Sequence, residues 1–113
     1  MMKYQEIFPM DRRELEKLIE SGNDTAIADA LLSAAYHDPD WRWVQGLCLH
    51  FAEHSDSNVR RIAALCLGYV ARIHRSLDLE LVLPKLMALK QDPAVACSVG
   101  DALDDIRRYL RVQ

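Results

Sequence analysis

Apolar side chains recur at three- and four-residue spacings in six segments, and glycine, proline or an Asp/Asn/Ser cluster interrupts the pattern between them. Asp11 can cap a first helix of about Asp11 to Glu20, with Leu15, Leu18 and Ile19 on its apolar side. Ser21-Gly-Asn23 stops it, and Asn23 or Asp24 opens a second, roughly Thr25 to Tyr36, with Ile27, Leu31 and Ala34 on one face. Asp38-Pro39 introduces a third, about Asp40 to His54. The fourth begins after Asp56 and runs to about Arg75. Leu77 to Lys90 forms a fifth, which Pro84 can bend or restart because proline lacks the amide a helix interior uses. Asp92-Pro93 opens the sixth, ending near Tyr109 or Leu110. No segment alternates as a strand does, so the chain is expected to be all-α.

Two of these helices echo each other eighteen residues apart: Trp41-Arg-Trp-Val-Gln-Gly-Leu-Cys-Leu-His50 and Val59-Arg-Arg-Ile-Ala-Ala-Leu-Cys-Leu-Gly68. An acidic turn precedes each, and the step from Asp56 to Asp92 is twice the step from Asp38 to Asp56. A period of thirty-six residues, one helix pair, favours a short α-solenoid of about six helices in three pairs. A compact up-and-down bundle is the alternative that helix periodicity alone does not exclude.

Asp56 to Val70, with Asp56, Val59-Arg60, the small residues Ala63 and Ala64, and Leu67-Gly68 followed by Val70, resembles the second helix of a HEAT repeat. Asp92-Pro-Ala-Val95 through Ala102-Leu103 and Ile106 is similar, but Ala96 stands where the repeat has Arg and Asp104 where it has Gly. The resemblance implies three HEAT-like pairs over residues 1–113 as one repeat domain. It implies that Arg60 bonds to the Asp of a neighbouring repeat, that second helices line a concave side, and that Trp43 takes a template Arg position. It is specific for fold and nearly silent on function.

At 113 residues with half of them apolar, the chain can bury a real core but has no room for a large catalytic insertion. A net charge of −3 gives no long-range pull toward nucleic acid or anionic lipid. The amino terminus lacks the apolar core of a signal peptide, and no apolar run reaches membrane-spanning length. Cys48, Cys66 and Cys97 are odd in number and widely spaced, which suits reduced thiols and a cytoplasmic location.

Candidate chemistry is sparse. His50 and His54 stand four apart on one helix, a spacing that lets two imidazoles share a metal, yet no third ligand lies near in sequence. Cys48 and Cys66 occupy alanine-like slots rather than nucleophile positions. Asp101, Asp104 and Asp105, followed by Arg107 and Arg108, read as a salt-bridged helix rather than paired acid–base carboxylates. No cofactor, catalytic residue or metal site is expected.

The deviations from the repeat template are more informative. Leu65 and Tyr69 share a face of the fourth helix with Arg61 and Arg72, and the matching row on the sixth carries Asp101, Asp105 and Arg108. Side by side on a concave face they would join Tyr and Arg, the types that carry energy at protein interfaces. Trp43 is an anchor on the other side if exposed, and a core side chain if not. The expected function is therefore non-enzymatic binding of another protein. One concrete version is an inhibitor or immunity protein that neutralises a bacterial toxin domain. A nucleic-acid-binding module using Arg61, Arg72, His74 and Arg75, or a non-catalytic subunit or assembly factor of an enzyme complex, is the alternative. The acidic total argues against nucleic acid, and no membrane partner is expected. Replacing Ala64 with Asp places an unpaired charge in the helix seam and is expected to cost more than about 4 kcal/mol, enough to unfold the chain. An unchanged melting temperature would show that the register assigned to the fourth helix is wrong.

Overall fold

The computed structural model describes residues 7–110. Residues 1–6, most of the segment read for a signal peptide, lie outside them. Six helices follow in order: α1 (Arg12–Glu20), α2 (Asp24–His37), α3 (Trp41–Phe51), α4 (Ser57–His74), α5 (Leu79–Leu89) and α6 (Ala96–Leu110). Four of them start where a short polar side chain takes a free amide. Asp11 accepts from the Glu14 N–H at 2.8 Å while Glu14 accepts from the Asp11 N–H at 3.2 Å, a reciprocal box. Asn23, Asp40 and Asp56 accept from the amides of Ala26, Trp43 and Val59. Gly22 turns the chain between α1 and α2 with φ of 75°, a region open to glycine at no steric cost.

Two expected boundaries move, for local reasons. α3 ends at Phe51 because Glu53 and His54 donate three residues back, to His50 and Phe51, and tighten the chain out of the α-helix. α6 begins at Ala96 because Asp92 makes a turn, not a helix cap. One of its oxygens accepts from the Ala94 N–H, and the other is held by Arg60.

α4 is buried on nearly every side. Val59, Ala63, Ala64, Cys66, Leu67, Val70 and Ala71 are fully covered, and Ile62 nearly so. So broad a stripe of apolar and small residues seats a helix among several neighbours rather than against one. α4 accordingly packs on α6, α2 and α3, while α1 packs on α2, and α5 on α6. The echoed Leu-Cys-Leu segments meet where α3 packs on α4, with the Cys48 and Cys66 thiols as neighbours. Burial pushes the Cys66 thiol well above its ordinary range, and its hydrogen bond with Cys48 adds to the effect. Cys97 is exposed.

This arrangement overturns the solenoid. In a stack, both layers of helices continue along one axis. Here α2, α4 and α6 lie side by side with α4 as the hub, but α1, α3 and α5 make no substantial contact with one another and so form no second layer. The dimensions of 37 × 30 × 29 Å are nearly equal, and the radius of gyration of 13.1 Å matches the roughly 13 Å of a compact chain of this length. The fold is a six-helix bundle around α4. The Arg60–Asp92 pair that the repeat template implied is nevertheless present, at 3.0 Å, and Arg60 also donates to the carbonyls of His54 and Ser55. It pins the start of α4 to the turn before α6.

α4 and α6 cross at Gly68, where an added Cβ would stand 2.9 Å from the Ala102 Cα. Backbone cannot give way there as a flexible side chain could. Gly68→Ala is therefore expected to lower stability by about 1–3 kcal/mol, although alanine is the better helix former. A melting temperature equal to or above that of the parent chain would contradict so close a crossing.

Candidate interaction surface

The α4–α6 crossing and the α2–α4 contact bring together four side chains from three helices. Tyr69 and Arg72 stand about one turn apart near the end of α4, Tyr36 comes from the last turn of α2, and Asp105 from α6. The tyrosine rings meet edge to face, with centroids 5.3 Å apart. The Arg72 guanidinium carbon lies 5.7 Å from the Tyr36 ring and 5.3 Å from the Tyr69 ring, and Nη2 donates to the Tyr36 hydroxyl at 3.1 Å. Both tyrosines and Arg72 are half-buried, so their stems are fixed while their polar ends reach solvent. Arg72 also suits the negative end of the α4 dipole.

Charge at this surface is incompletely compensated. Burial raises the Tyr69 hydroxyl above its ordinary range; Tyr36, Cys66 and Asp105 add to this and Arg72 opposes it. Asp105 is likewise raised by burial. Arg72 and Arg108 pull it back, and Asp101 and Asp104 push it further up. Arg72 and Asp105 thus sense each other, yet no ion pair within 4 Å joins Arg72 to any carboxylate among the described residues.

Of the row expected on α4, Tyr69 and Arg72 belong to this cluster, while Leu65 packs partly into the core and Arg61 folds back onto Asn58 at 2.7 Å. Of the row on α6, Asp105 faces the cluster. Asp101 and Arg108 are exposed beside it, and Asp104 pairs with Arg107 at 3.0 Å. Trp43 is half-covered. Arg12 stacks on its ring at 3.6 Å and reaches Asp38 and Asp40 at 3.4 and 3.7 Å, pinning α1 to the α2–α3 corner. His54 is engaged by its own loop, as Nδ1 accepts from the Asp56 N–H at 3.0 Å and Nε2 lies 3.7 Å from Asp24. His50 packs edge-on against Phe51. Among the described residues no three His, Cys, Asp or Glu side chains gather as metal ligands, and no helix is long and apolar enough to cross a membrane.

Sequence reasoning missed Tyr36, which it read only as the end of a helix. The thirty-six-residue offset held the signal, because Tyr36, Arg72 and Arg108 are spaced by that interval and Tyr36 and Arg72 bond across it. It also missed the exposed apolar side of α5, where Leu81 and Met87 are 55% and 51% exposed.

A carboxyl with a raised folded-state pKa holds its proton more tightly when folded, so its ionisation costs stability. For Asp105 that cost is fully present above the folded pKa and fades as the pH falls toward the ordinary value of 3.8. Asp105→Asn is therefore expected to melt at or above the parent temperature at neutral pH, with the difference shrinking toward about pH 4. Thermal melts across that range check it, and a variant less stable at neutral pH would contradict it.

No protein-family model matches the chain, and no curated protein matches it closely. Among solved structures, it is 38% identical to a chain in the crystal structure of a CDI complex from Cupriavidus taiwanensis, with a TM-score of 0.86. The match covers 96% of this chain and 98% of that one. Likeness of this extent replaces the HEAT-like resemblance, which rested on one helix pattern and its partial repeat. The chain belongs to the family of that CDI-complex component.

Proposed function

We propose that this chain is an immunity-type inhibitor, which binds a toxin domain and neutralises it without catalysis, in the cytoplasm of the cell that makes it. The observation that carries the reading is the near-full-length likeness to a component of a CDI complex. The character of the surface agrees: the bundle presents aromatic and arginine side chains held against one another. The toxin docks on the α2–α4–α6 face, with Tyr69, Arg72 and Asp105 central and Arg61, Leu65, Asp101 and Arg108 around them. Trp43, half-stacked beneath Arg12, lies outside that contact.

Cells expressing a cognate CDI toxin domain are expected to grow only when the chain is co-expressed, and the two purified proteins should form a stoichiometric complex. Tyr69→Ala should leave the helical circular dichroism intact while weakening that complex by about 30-fold or more, the loss typical of an interface hot spot. Continued growth arrest with both proteins present, and no complex in calorimetry, would overturn the reading.

A further inference from the structure

Resting on that reading, we infer that Arg72, held by Tyr36 and Tyr69, is the socket for a carboxylate side chain of the toxin. The other half-buried cations of the described structure already have protein oxygens. Arg60 is closed by Asp92 and two carbonyls, Lys85 by Glu53, and Arg61 by the Asn58 oxygen. Arg72 differs. Its guanidinium carries five N–H donors, and its bond within the described protein is to a neutral hydroxyl, at 3.1 Å.

That hydroxyl receives one Nη2 hydrogen and leaves the other four N–H donors without a hydrogen-bond partner in the described protein. The two rings beside it limit the rotamers that a free arginine would lose on binding. A planar guanidinium fixed in this way matches a carboxylate through two parallel N–H bonds, which a lysine cannot reproduce. The tyrosine hydroxyls add two further donors at the rim. Tyr36 therefore acts as a positioning residue and Arg72 as the contact. Asp105, on α6, is near enough for its charge and that of Arg72 to act on each other, and it weakens the attraction of the site for an incoming anion without cancelling it.

The test measures affinity for the purified toxin domain by calorimetry, with a melting temperature for every variant. Arg72→Ala and Arg72→Lys should each weaken binding by about 30-fold or more. Tyr36→Phe, which keeps the ring but removes the acceptor, should weaken it less than Arg72→Ala. Asp105→Asn should tighten it by about two- to five-fold, by removing a like charge. A double-mutant cycle should couple Arg72 to one toxin Asp or Glu, and exchanging the two charges should restore binding. Unaltered affinity in folded Arg72→Ala and Arg72→Lys would overturn the socket while the parent complex still forms. Weaker binding of Asp105→Asn would also overturn it, because the partner group would then be a cation. A parent chain that fails to bind the toxin domain overturns instead the immunity reading beneath it.

Discussion

The close crossing of α4 and α6 at Gly68 and Ala102 is the constraint on which the rest of the molecule depends. Without a side chain at Gly68, α6 can lie against the most deeply buried helix, and α2 and α3 then cover further sides of α4. Small residues make this approach feasible elsewhere too, at Ala63, Ala64 and Ala71, all fully covered. Dispersion contacts of a dense core fall off steeply with distance, so a bundle held this way tolerates little widening.

The same crossing determines the surface. Asp105 lies one turn beyond Ala102 and is carried over Gly68, with a carboxylate oxygen 3.1 Å from where a Cβ would stand. Tyr36 arrives from the opposite flank, at the end of α2. The packing that stabilises the bundle therefore also half-buries Tyr36, Tyr69, Arg72 and Asp105 and raises the Tyr69 and Asp105 pKa values. Partial burial without full pairing is the state in which a charged group has most to gain from a partner.

Most helix starts were legible because they are local. Asp11, Asn23, Asp40 and Asp56 each satisfy an amide within three residues, so their identity is enough to place the start. Asp92 carried the same signal and did something else, since Arg60, thirty-two residues away, competes for its carboxylate. The seam of Val59, Cys66, Leu67 and Val70 was legible from spacing, and all four are fully buried. The surface was half legible. Tyr69 and Arg72 share a helix face by number alone, whereas Tyr36 joins them through a contact between helices that the periodicity of either cannot show. The exposed apolar side of α5 escaped notice for the same reason: Leu81 and Met87 look like core residues until the neighbouring helices are found elsewhere.

The sequence by itself determined six helices, most of their starts, the buried stripe of α4 and the lack of any strand among the described residues, because these depend on groups within a turn of one another. Only the tertiary structure decided between a stack and a bundle. A thirty-six-residue period states which helices are alike and not how they are rotated about one another, and both arrangements satisfy the same stripe. The rotation was settled by where backbones can approach most closely, at Gly68 and Ala102, and by α4 having apolar or small residues on too many sides to serve as one face of a two-layer stack.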